Sequence, residues 1–154
     1  PHQWFRNHGR HLRRNLQSYR IEISSQVVSS QVEMPTQSFE NLTVWQKSRQ
    51  LVLDLYQTTR YFPKEEMFGI VNQMRRAAIS ITANIAEGYA RIGQKDKLHF
   101  YNIAQGSLEE TRSFVILSYD LGYLQEIDKE RILNLAEEIS RMLNSYCQGL
   151  IKYY

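Results

Sequence analysis

The sequence predicts an all-α protein, an antiparallel up-down-up-down four-helix bundle with long helices. Three observations carry this expectation. From Ser38 onward the pattern is helical, breakers fall only where turns are wanted, and the last segment carries one continuous apolar stripe. Four segments follow, spanning roughly 41–61, 64–89, 94–122 and 126–152. Helices of that length joined by short loops make antiparallel neighbours.

The first segment offers Trp45, Val52, Leu55, Thr59 and Phe62 as its core face. It ends at "YFPKEE", where Pro63 suits the first turn of the next helix and Glu65 and Glu66 favour the same turn through the helix dipole. In the second segment, at 100° per residue, Ile70, Met74, Ala77, Ile81 and Ile85 share one face, and Gln73, Arg76, Ser80, Asn84, Glu87 and Arg91 form a polar row beside it. The remaining arc carries Ile79, Ala83 and Ala86 with little charge except Arg75. That is more apolar than a solvent face, and the small residues permit close helix approach, so these three residues are the expected interface for self-association.

Gly88 and Gly93 mark the turn into the third segment, whose core face is Leu98, Tyr101, Leu108, Val115 and Leu121. Gly106 and Ser107 sit inside it, a pair that bends a long helix or lets another approach closely. Gly122 reads as a helix stop. The fourth segment then repeats Ile132, Leu135, Ile139, Met142, Tyr146, Leu150 and Tyr153 at spacings of three and four.

The net charge of +3 and pI near 9.1 suggest a nucleic-acid partner only until the charge is located. Residues 1–33 hold five arginines (Arg6, Arg10, Arg13, Arg14, Arg20) against Glu22 and Glu33, and the rest holds fourteen basic and fourteen acidic residues. We therefore expect two regions, a basic extension over 1–37 that is flexible or non-native, with Met34 as a natural start, and a bundle over 38–154. In the extension, Trp4, Phe5 and Tyr19 among the arginines are suited to stacking on bases, whereas His8 and His11 lack the further ligands that a metal site needs. Inside the bundle the basic concentration is Arg75 and Arg76 with Arg91, Lys95 and Lys97, which are the candidate nucleic-acid contacts.

Catalytic signals are sparse. The lone Cys147 reads as a small buried hydrophobe in a cytoplasmic setting, and no run of about 18 apolar residues suggests a membrane span. A di-metal site in a bundle needs two Glu-x-x-His type sets, and Asp96 with His99 supplies one such pair only. The adjacent acids Glu109–Glu110 and Glu137–Glu138 diverge by 100° on a helix and share no site. Phosphate-binding and nucleophile motifs are missing as well. We expect no enzymatic activity, no metal, no cofactor and no small-molecule substrate.

The pieces "LTVWQ", "FPKEE", "QMRRAAISITANIAEG" and "QGSLEE" occur in this order over about residues 39–152, and with them the chain resembles a known family. It is similar to the four-helix-bundle proteins encoded in intervening sequences of bacterial 23S ribosomal RNA genes, which are related to accessory variability proteins of diversity-generating retroelements. The resemblance implies a non-enzymatic bundle that assembles into a ring, usually a pentamer. For the retroelement branch it implies a partnership with reverse transcriptase and its template RNA. The neutral bundle departs from that strongly basic type and favours the ribosomal-type branch or a further, uncharacterised relative. The motif directs attention to Arg75, Arg76, Asn84, Glu87, Gly88 and Arg91, with Asn84 and Glu87 expected to brace the junction of helices two and three. Two readings follow: an oligomeric bundle associated with structured RNA or a reverse-transcriptase-type partner, or a structural, protein-interaction module without direct nucleic-acid binding.

Overall fold

The computed structural model describes residues 38–152. The basic extension over 1–37, with its arginines, aromatics and histidines, lies outside the described residues, as does Tyr153. A 3₁₀ turn, Phe39–Asn41, leads into α1 (Thr43–Thr58). Two further 3₁₀ turns, Thr59–Tyr61 and Lys64–Phe68, connect it to α2 (Ile70–Ala90), and α3 (Gln94–Asp120) and α4 (Glu126–Lys152) complete an all-α bundle.

Each helix packs on its two neighbours, α1 against α2 and α4, and α3 against α2 and α4. Cross-links between α1 and α4 show their direction: Lys47 pairs with Glu138, and Asp54 with Arg131. As α1 rises from 47 to 54, its partners in α4 descend from 138 to 131, so the two run antiparallel.

The core is built from positions three and four apart. Leu51 and Leu55 enter from α1, Met74, Ile81 and Ile85 from α2, Tyr101, Leu108 and Val115 from α3, and Ile132, Ile139 and Leu143 from α4. Each such fully buried aliphatic side chain stabilises the fold by about 1.5–3 kcal/mol. Phe62 and Leu124 close the end where α1 leaves and α4 begins.

Several expected positions shift. On α1 the buried line runs through Val44, Ser48, Leu51 and Leu55, leaving Trp45 and Val52 half-buried at its edge. Leu98 is likewise half-buried. Leu121 is 55% exposed, because α3 stops at Asp120 and the chain turns before Leu121 reaches the core; Leu124 is buried instead. On α4 the core line includes Ala136 and Leu143, while Tyr146 is exposed at the rim. A stripe of large residues marked the correct side of the helix, with the fully buried line displaced from it by one position at Val44, Leu51, Ala136 and Leu143.

The second helix also begins later than its sequence suggests. Pro63 precedes the 3₁₀ turn Lys64–Phe68 rather than starting α2, which begins after Gly69. Glu66 explains the delay. Its carboxylate accepts the Ile70 amide at 3.2 Å and the Tyr123 hydroxyl at 3.2 Å, so it caps α2 and ties that end to the α3–α4 turn.

Gly122 ends α3 as expected. With φ of 75° it takes the left-handed conformation, its amide reaches the Tyr119 carbonyl, and the Tyr123 amide reaches the Ser118 carbonyl. Those two bonds satisfy carbonyls that α3 leaves open.

Candidate nucleic-acid interface

The five candidate cations do not form one cluster. Arg75 and Arg91 are separated by 16 residues of α2 and its end, about 24 Å at 1.5 Å per residue. Their surroundings differ as well.

Arg75 serves the end of α1. Its Nε donates to Thr59 Oγ1 at 2.9 Å, and its guanidinium lies 4.4 Å from the centre of the Tyr56 ring. Thr59 in turn donates to the Leu55 carbonyl at 2.7 Å. Arg91 pairs with Glu87 one turn earlier and stacks 4.7 Å from the centre of the Phe100 ring on α3. Lys97 donates to the Tyr89 carbonyl at 2.9 Å and reaches the Gly88 carbonyl at 3.5 Å, placing its charge on the negative end of the α2 dipole. All three have structural work within the chain. Arg76 and Lys95 are exposed and make no hydrogen bond or ion pair among the described residues.

Between α2 and α3 lies a polar seam. Asn84 Nδ2 donates to the Ser80 carbonyl at 2.7 Å and to Ser80 Oγ at 3.0 Å. Ser80 Oγ meets Ser107 Oγ across the helix interface at 2.8 Å, and the Ser107 carbonyl accepts from Thr111 Oγ1 at 2.9 Å. Asn84 thus reaches α3 through Ser80, whereas Glu87 acts on α3 through Arg91. Gly106, beside Ser107, is exposed, and a side chain there would meet nothing within 4 Å.

Gly88 is not a turn glycine. It is buried inside α2, and a Cβ there would come within 2.8 Å of Tyr101 Cε1. Its missing side chain admits the Tyr101 ring, which also meets Tyr146 edge-on at 5.1 Å between centres.

The small-residue arc of α2 faces outward. Ile79 is 44% exposed, Ala83 is exposed and Ala86 is half-buried. Ile79 joins Val52, Leu53 and Tyr56 of α1 in lining a groove of about 540 Å³. Sequence reasoning found Ile79 but missed Leu53 and Tyr56, whose i, i+3 spacing off the core line of α1 was the available signal.

Cys147 is not an activated nucleophile. Burial pushes the Cys147 thiol above its ordinary range, which disfavours the reactive thiolate. Among the described residues, no group of three or more His, Cys, Asp or Glu side chains gathers as a metal site, and no helix is long and apolar enough to cross a membrane.

The fold and these surfaces define a class, an up-down-up-down four-helix bundle whose distinctive residues lie along helix faces and seams. The model of the 23S rRNA-intervening sequence protein family matches residues 40–145, and the chain belongs to that family. A crystal structure from Bacteroides thetaiotaomicron VPI-5482, described as a protein with unknown function from the S23 ribosomal protein family, is similar at 26% identity and a TM-score of 0.64. The likeness covers 68% of this chain and 95% of that one. No curated protein matches the chain significantly.

Proposed function

We propose that this chain is a non-catalytic, homo-oligomeric bundle that associates with structured RNA. Membership of a family encoded within 23S rRNA intervening sequences is the observation that carries the reading. The local support is chemical: Arg76 and Lys95 project charge that no side chain of the bundle neutralises, whereas Arg75, Arg91 and Lys97 are already engaged. A ring would repeat the two unpaired cations around its circumference and add their fields.

The test is RNA binding by fluorescence anisotropy over a salt series, with a structured ribosomal RNA fragment as probe. Arg76→Glu and Lys95→Glu should each weaken binding and make the slope of log K against log salt shallower by about 1. Absence of binding by the unmodified chain at low salt removes the RNA role.

A second reading, a protein-interaction module, is favoured by the groove between α1 and α2. Leu53, Tyr56 and Ile79 present contiguous apolar surface there, suited to a lateral neighbour of the same chain. The retroelement relation that the sequence resemblance implies would add a reverse-transcriptase-type partner.

A further inference from the structure

We propose that a second copy of this chain docks end to end on the first, with its exposed aromatic tip entering an apolar groove at the opposite end of the bundle. This contact is separate from the lateral face around Ile79 and needs no RNA.

The groove arises from unequal helix lengths. Lys47 lies beside Glu138, and from that level α1 has four residues left to its start at Thr43 while α4 has fourteen left to Lys152. The overhang of ten residues is about 15 Å of helix with no α1 beside it. The space left is a groove of about 980 Å³, lined chiefly by Leu42, Val44, Ile92, Met142, Tyr146 and Leu150.

The other end of the bundle has the opposite relief. Phe68 is 92% exposed and Tyr61 88% exposed, both on the short turns between α1 and α2, and Met67, Leu121 and Ile127 are also exposed at that end. Large apolar groups standing in water gain about 25 cal/mol for each Å² they bury.

Charge follows the same polarity. Around the groove, residues 38–47, 84–100 and 138–152 hold the cations Lys47, Arg91, Lys95, Lys97, Arg141 and Lys152 against Glu40, Glu87, Asp96 and Glu138, a net of +2. At the tip, residues 54–69 and 117–131 hold seven carboxylates against Arg60, Lys64, Lys129 and Arg131, a net of −3. A bundle neutral as a whole is therefore positive at its concave end and negative at its protruding one. Tip and groove lie at opposite ends of α3, whose 27 residues span about 40 Å, so they meet only between two molecules. Such a contact is head-to-tail and propagates unless it closes.

Sedimentation velocity of the full chain over a concentration series tests this, with Phe68→Asp to spoil the tip and Gly149→Trp to fill the groove. Phe68 touches solvent, and a side chain at Gly149 meets nothing within 4 Å, so both variants should melt like the unmodified chain. Tyr61→Asp and Ser145→Trp replace either one that does not. The unmodified chain should form larger species that each variant alone loses. Mixing the variants should produce a species of twice the mass that either forms alone, since one retains a groove and the other a tip. Raising salt from 0.1 to 0.5 M should weaken the contact. Equal mass for all three chains, or a mixture that does not double, overturns the proposal and leaves the groove to another occupant.

Discussion

Gly88 and Tyr101 set the distance between α2 and α3. Gly88→Ala places a methyl 2.8 Å from the Tyr101 ring, which is buried and has little room to move. The expected cost is about 1–3 kcal/mol, the usual range for overpacking, and a lowered midpoint in denaturant unfolding would register it. Tyr101 carries its own liability, since its hydroxyl is buried without a hydrogen-bond partner among the described residues. Tyr101→Phe should therefore be neutral or stabilising, by about 1 kcal/mol. Burial also holds the Tyr101 pKa far above its ordinary value. A raised pKa contributes stability that is whole below about pH 10, the unfolded tyrosine value, and is lost as pH climbs toward the folded one. Unfolding midpoints measured at rising alkaline pH should consequently fall less steeply for Tyr101→Phe than for the unmodified chain. Tyr101 was legible as a core residue, as its burial bears out, but Gly88 was not: a glycine near a helix end reads as a turn, and only the facing helix shows that it is a gap for a ring.

At the scale of elements, α2 is held at both ends by groups outside it. Glu66 caps its first amide and Lys97 its last carbonyls. Glu66→Ala should cost about 1 kcal/mol, the usual cost of a lost helix cap, and speed hydrogen exchange at the first turn of α2 while leaving α4 protected. The helices themselves were readable because apolar residues at three- and four-residue spacing, Gly122 and the loops near Pro63 and Gly93 are local signals. The late start of α2 was not, since its cause is a carboxylate held by Tyr123, 57 residues away.

For the whole molecule, the two exposed apolar regions make different demands on assembly. Ile79→Asp places a charge in the groove shared with Leu53 and Tyr56. Because Ile79 is outside the core, the monomer's melting temperature should change little, while light scattering after size exclusion should show a smaller particle. An unchanged particle would overturn this face as a surface for self-association. The cationic positions follow the same logic. Sequence identified Arg75, Arg76, Arg91, Lys95 and Lys97 as one group, and the fold places Arg75 and Arg76 near the start of α2, Arg91 at its end and Lys95 and Lys97 on the first turn of α3, and divides them by occupation.

By itself the sequence determined a helical chain of four long segments, a core side for each, and a family motif, because helical period, breakers and composition act over a few residues. Only the tertiary structure decided that Gly88 receives Tyr101, that Arg75 bonds to Thr59 at the end of α1, that Arg76 and Lys95 are left unpaired among the described residues, and that α4 outruns α1 to leave a groove. Each of these depends on the register between helices distant in the chain, which is set by how their side chains pack and is absent from any local pattern.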